Sequence, residues 1–184
     1  MNRLSRLLLP AALLAFLSLP ALAASKEEID AEVKEALATL YTQSSAAKDL
    51  GAKAAGILVF PKVTKAGVGL GGEYGEGALL VGGKTSGYYN TAAGSIGLQL
   101  GVQQKAQAIM FMTQKELDKF LKQNHDGWKA GVDGSVALAT LGAGGQLDTE
   151  TAKKPIIGFI FSNKGLMYNL TFEGSKITKL DKDK

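Results

Sequence analysis

From Gly56 onward the chain alternates apolar and polar positions with a period of two, the signature of half-buried strands. Ile57–Phe60, Gly67–Glu73, Ala78–Val81, Gly87–Thr91, Ser95–Gln103, Ala106–Met112, Ser135–Leu141, Ile156–Phe161 and Leu166–Phe172 are the strands this pattern predicts. The alternation is plainest where Ile96, Leu98, Leu100 and Val102 share one face and Ser95, Gly97, Gln99, Gly101 and Gln103 the other. Ala106–Met112 is apolar on both faces, which places it centrally in a sheet. Asn163-Lys164-Gly165 reads as a hairpin turn. Twelve of the 23 glycines fall between Gly67 and Gly101. Glycine weakens a strand unless the sheet bends or another backbone comes close, so this density predicts a curved sheet.

Helical spacing appears twice. Ser25-Lys-Glu-Glu28 is a capping box ahead of Ile29, Val33, Ala36, Leu37, Leu40 and Tyr41, and a second helical piece follows over Ser45–Ala55. Thr113-Gln-Lys-Glu116 opens a short inserted helix with Leu117, Phe120 and Leu121 inward. Gly142–Lys154 reads as a polar loop, and the lysine-rich end over 175–184 as a frayed tail. The expected fold class is α+β: a curved, mainly antiparallel sheet, open or barrel-like, with an N-terminal helix and one inserted helix.

Residues 1–23 read as an address. Arg3 and Arg6 precede an apolar run from Leu7 to Leu19, and Ala21-Leu22-Ala23 supplies a small-x-small cleavage pattern. A membrane anchor needs about 18 uninterrupted apolar residues, and Pro10, Ser18 and Pro20 interrupt this one. Cleavage after Ala23 is expected, giving a periplasmic or secreted single domain over 24–184. The chain has no cysteine, so it lacks a lipoprotein anchor and any disulfide. Cleavage removes Arg3 and Arg6 and halves the formal net charge of +4. A nucleic-acid binder carries a denser basic footprint, so nucleic acid is not an expected partner.

The first helix is acidic on its polar face. Glu27, Glu28, Asp30, Glu32 and Glu35 outnumber Lys26 and Lys34, the reverse of a helix that seeks anionic lipid. It is expected to pack on the sheet instead.

Several strings imitate enzyme motifs without their context. Gly67-Val-Gly-Leu-Gly-Gly72 fits the dinucleotide fingerprint, but Glu-Tyr-Gly-Glu-Gly after it cannot open the helix that would meet a pyrophosphate. Ala78 to Thr85 resembles a relaxed phosphate loop, again with no helix start after it. Ala93-Gly-Ser-Ile-Gly97 imitates a nucleophile elbow, with Asp118 and His125 in hydrolase order, but Ser95 begins an alternating strand. With one histidine and no cysteine, zinc ligation of the usual kind is not available. Glu73, Glu76, Asp133 and Asp148 match no calcium-loop spacing. Asn169-Leu-Thr171 is a glycosylation string on a predicted strand. No catalytic residue, metal or cofactor is expected.

A longer pattern is more specific. Gly56-Ile-Leu-Val-Phe-Pro-Lys-Val-Thr-Lys-Ala-Gly-Val-Gly-Leu-Gly-Gly-Glu-Tyr-Gly-Glu-Gly77, then Gly94–Gln103, Ile109–Thr113, Pro155–Phe161 and Gly165-Leu166, resembles the SYLF domain family in content and order. The resemblance covers the chain after the first helix. It implies a non-enzymatic module that recognises anionic lipid or phospholipid headgroups at a membrane surface, as in eukaryotic endocytic proteins. Bacterial members are exported single domains. Actin binding, known among eukaryotic relatives, is not transferred to an exported chain, and the protein partner stays unnamed. The acidic first helix departs from the amphipathic lipid-binding segment of eukaryotic members. Within the matched signature, Lys62 and Lys65, with Lys84 in the next hairpin, are the candidate lipid- or phosphate-binding residues. A lysine ammonium is a suitable point charge for phosphate, although lysines also blunt exposed strand edges. Tyr74, Tyr88, Tyr89 and Trp128 are expected in the core rather than at a lipid interface. The alternative function is a structural module that binds another protein through a sheet edge or its glycine-rich face.

Overall fold

The computed structural model describes residues 24–97, 103–124, 126–139, 147–167 and 170–182. Residues 1–23, which carry the expected secretory pattern, His125 and Asn169 lie outside them, as does the centre of the alternating stretch at 98–102. The sheet hangs on one strand, β1 (Gly56–Val81), which runs for 26 residues. Its first limb pairs antiparallel with β3 (Gln103–Phe111), Gly56 opposite Phe111 and Lys65 opposite Gln103. Its second limb pairs antiparallel with β2 (Lys84–Gly97), Gly69 opposite Gly97 and Val81 opposite Lys84. The remaining strands are β4 (Trp128–Lys129), β5 (Ala137–Leu138), β6 (Ile156–Ser162), β7 (Gly165–Leu166) and β8 (Lys176–Leu180). The order is β4-β8-β2-β1-β3-β6-β5, with β7 paired to β6. The result is a strongly curled half-barrel, antiparallel except where β5 runs parallel to β6.

Three predicted strands are therefore one. The Pro61-Lys62 break is a bulge, where register shifts between Phe60 and Val63, and the chain continues as strand through the glycines. Curling brings the second limb of β1 back over the first. A Cβ on Gly75 would lie 2.6 Å from the Lys62 carbonyl oxygen, and one on Gly77 would overlap the Val59 carbonyl. Backbone meets backbone at this crossing, and only glycine leaves room for it. The tight β1–β2 hairpin turns at Gly82 and Gly83, both with positive φ, the conformation a two-residue turn requires.

Each face of the sheet is covered. Helix α1 (Lys26–Gln43), capped by Ser25 accepting from the Glu28 N–H, buries Ile29, Val33, Ala36, Leu37 and Leu40 on one face. There it meets Ile57, Val59, Ala78, Ala108, Met110, Ile157 and Phe159, and α2 (Ser45–Gly51) adds Ala47. Burying side chains of this size is worth about 1.5–3 kcal/mol each, so this stripe holds α1 in place. The opposite face packs Leu58, Phe60, Leu79, Ile109, Phe111 and Ile160 beneath α3 (Gln114–Gln123). β3 and β6 thus bury both their faces, as expected of a central strand. On this second face Phe120 stands 4.9 Å from Phe111, 5.3 Å from Tyr89 and 5.6 Å from Trp128 between ring centroids.

The structure corrects other expectations. The lysine-rich end is a strand: β8 pairs with β2 and β4 and buries Ile177. Leu121 and Tyr74 are more than a third exposed, whereas Tyr89 and Trp128 are core. Among the described residues, the predicted strand over Leu166–Phe172 is strand only in β7, and that over Ser135–Leu141 only in β5. Within the polar loop, α4 (Thr149–Ala152) forms under an Asp148 cap.

Candidate functional site

Two acidic residues of α1, Asp30 and Glu32, dock it on the sheet. Asp30 accepts from Thr85 Oγ1 at 2.8 Å and from Tyr88 O–H at 3.0 Å, and so ties the helix to β2. Glu32 accepts from Lys62 Nζ at the β1 bulge. Residues two apart on a helix point about 200° apart, so β2 and the bulge flank opposite sides of α1. That explains why an acidic helix sits on this sheet. It also separates the candidate lysines. Lys62 lies on one flank, 60% exposed, its pKa raised by the hydrogen bond to Glu32 and then by that carboxylate's charge. Lys84 stands exposed at the hairpin beyond the other flank. Lys65 is half-buried in β1 opposite Gln103. The three do not converge on one site.

A groove of about 620 Å³ opens on the Lys62 side, between α1 and the β3–β6 part of the sheet. One helix stripe, Glu32, Glu35, Ala36 and Thr39, forms its first wall. Lys62 and Lys105 line it from β1 and β3, and Lys164 from the β6–β7 turn, where its N–H donates to Ser162 Oγ. Pro61 and Met167, both part-exposed, supply apolar surface, while Ala106 and Phe161 are buried. At the end of α1, Gln43 Nε2 donates to the Ser162 carbonyl at 2.8 Å, while its Oε1 is buried with no donor among the described residues. Lys105, Lys164 and Glu35 were not candidates in the sequence reading. The sequence signals them only slightly: Lys105 stands just before the predicted strand Ala106–Met112, Lys164 in a tight turn, and Glu35 on the acidic helix face.

The glycine-rich signature contributes two further ion pairs. Glu73 takes Lys105 Nζ at 2.7 Å, and Glu76 takes Lys182 Nζ at 2.7 Å, both pairs largely withdrawn from solvent. Lys182 also donates to the Ala24 carbonyl at 2.8 Å, and Tyr74 O–H donates to the other Glu76 oxygen at 3.0 Å. These carboxylates are structural partners of lysines. No group of three metal-ligating side chains is brought together among the described residues. Ser95 lies within β2 opposite Gly71, not at a strand-to-helix elbow, and Asp118 accepts from Gln114 on α3. No helix among the described residues is long and apolar enough to cross a membrane.

Fold and groove together define a curled-sheet α+β domain with a charged cleft beside its first helix. Residues 92–183 match the family described as Ysc84, Las17-binding protein actin regulator. The chain belongs to this family, the SYLF family of the sequence resemblance. No curated protein matches the chain.

Proposed function

We propose that the protein is a non-enzymatic module that binds anionic lipid or phospholipid headgroups at a membrane surface, in the bacterial periplasm. The observation that carries this reading is the groove. Three lysines, Lys62, Lys105 and Lys164, line it opposite Glu32 and Glu35 of α1, beside the part-exposed Pro61 and Met167. Charged groups next to apolar surface suit a phosphate and the first carbons of its acyl chains. Family membership supports a binding role, and the secretory pattern of residues 1–23 supports export. Cosedimentation with neutral and anionic vesicles, at low and moderate salt, tests it. Binding to phospholipid vesicles that weakens with salt is expected; no sedimentation with either vesicle would sink the reading.

A second reading rests on a different observation. The family description names a protein, Las17, as the partner of its members. Here β8 pairs only with Tyr88–Ala92 of β2, so that edge of β2 from Ala93 to Gly97 has no strand partner among the described residues. Such an edge can accept an added strand from a protein partner. Salt-insensitive association that persists in charge variants would favour it.

A further inference from the structure

The groove's charges can be assigned one by one. Lys62 is paired with Glu32, and Lys105 with Glu73. Two charged side chains of the lining remain without an ion-pair partner among the described residues, Glu35 on α1 and Lys164 in the β6–β7 turn. Glu35 acts on Lys62 through its charge alone. Both are exposed, one acid and one base, on different walls of one groove. A purely anionic ligand would meet Lys164 but would also face Glu35. A ligand with one phosphate and one ammonium satisfies both. The volume, about 620 Å³, falls in the range that holds a ligand larger than a headgroup alone.

Resting on the lipid-binding reading above, we infer that the groove seats the headgroup of an ethanolamine-type phospholipid. Its phosphate lies on Lys164, its primary ammonium on Glu35, and its glycerol and upper chain carbons against the part-exposed Pro61 and Met167. A primary ammonium keeps N–H donors that the carboxylate can accept, so this contact is a charge-assisted hydrogen bond as well as a charge pair.

Calorimetric titration with monomeric dihexanoyl phosphatidylethanolamine and dihexanoyl phosphatidylglycerol tests this. Losing one charge-assisted hydrogen bond costs about tenfold in affinity. The ethanolamine lipid should bind about tenfold tighter than the glycerol lipid. Glu35→Gln should remove that preference without weakening the glycerol lipid, and Lys164→Gln should weaken both. Both positions are exposed, so unfolding temperatures should not move. Equal affinity for the two lipids, or ethanolamine-lipid binding unchanged in Glu35→Gln, overturns the inference. If the protein then still sediments with anionic vesicles, the broader lipid reading survives its loss. If neither short lipid binds and no vesicle is sedimented, both fail. Glu35-dependent binding of the short lipid without vesicle sedimentation would uphold the headgroup site and overturn membrane recruitment.

Discussion

Lys105 on β3 and Glu73 on the second limb of β1 meet at 2.7 Å with little of either side chain exposed. Lys105 stands opposite Val63 of the first limb and Glu73 opposite Ala93 of β2, so the pair joins β3 to the far limb of the curled strand. Removing one partner strands a charge beside the apolar interior. Lys105→Met should destabilise the protein by about 3–5 kcal/mol. The double variant Lys105→Met/Glu73→Leu should recover most of that loss in urea unfolding. A double variant no better than the single one would show that the pair's geometry, and not its buried charge, matters.

The crossing of β1 on itself makes Gly77 and Gly75 intolerant of any side chain. Gly77→Ala should cost about 3 kcal/mol or more, because the obstructing atom is the Val59 backbone oxygen and cannot rotate away. Gly94→Ala, in the same glycine-rich region, meets nothing within 4 Å. It should be neutral, or stabilising by up to about 1 kcal/mol. Thermal unfolding of the two variants side by side checks the contrast.

Alkaline pH should weaken the fold. Burial holds the phenols of Tyr41, Tyr74 and Tyr89 above their ordinary value, with Asn124 partly opposing the shift at Tyr89. Lys62 is raised too, by Glu32. For a group whose folded pKa is raised, the stabilisation is full below the unfolded pKa and lost as pH rises through the folded one. Urea midpoints should therefore fall from about pH 10 upward. Tyr89→Phe should make that fall shallower. It should also lower stability at neutral pH by about 1–2 kcal/mol, since Asn124 Nδ2 loses its acceptor in the core.

Vesicle binding separates the candidate lysines. Glu32→Gln releases Lys62 from its partner and should strengthen sedimentation with anionic vesicles a few-fold, whereas Lys62→Glu should weaken it. Lys84→Glu, on the other flank of α1, should have the smaller effect. Equal losses at Lys62 and Lys84 would place the contact surface on both flanks and not in the groove.

Much of the sheet was legible because its alternation is local. Ala106–Met112 reads as central from its own residues, and β3 is central. What escaped depends on the curl. Pro61 and the glycines of β1 carry the composition of breaks, yet they form a bulge and a self-crossing, since a distant limb supplies the pairing. The lysines of β8 look solvated, and the one buried residue among them, Ile177, is a weak signal. The site was less legible than the fold. Lys62 and Lys65 share a signature, with Lys84 in the next hairpin, but the three share no surface, while Glu35 and Lys164, far apart in sequence, share a groove. No spacing rule links residues that only the packing of α1 on β3 and β6 brings together.

The Lys182 bridge to Ala24 and Glu76 has a consequence for engineering. It holds Ala24 and Lys182, the first and last of the described residues, within one hydrogen bond of each other, so a short linker would join them. New ends could then be opened at Gly82-Gly83, where the hairpin is exposed and a Cβ at either residue meets nothing. A circular permutant cut there would keep every strand pair but relieve β1 and β2 of their covalent connection. The permutant would show whether that hairpin or the crossing at Gly77 organises the curl as the chain folds.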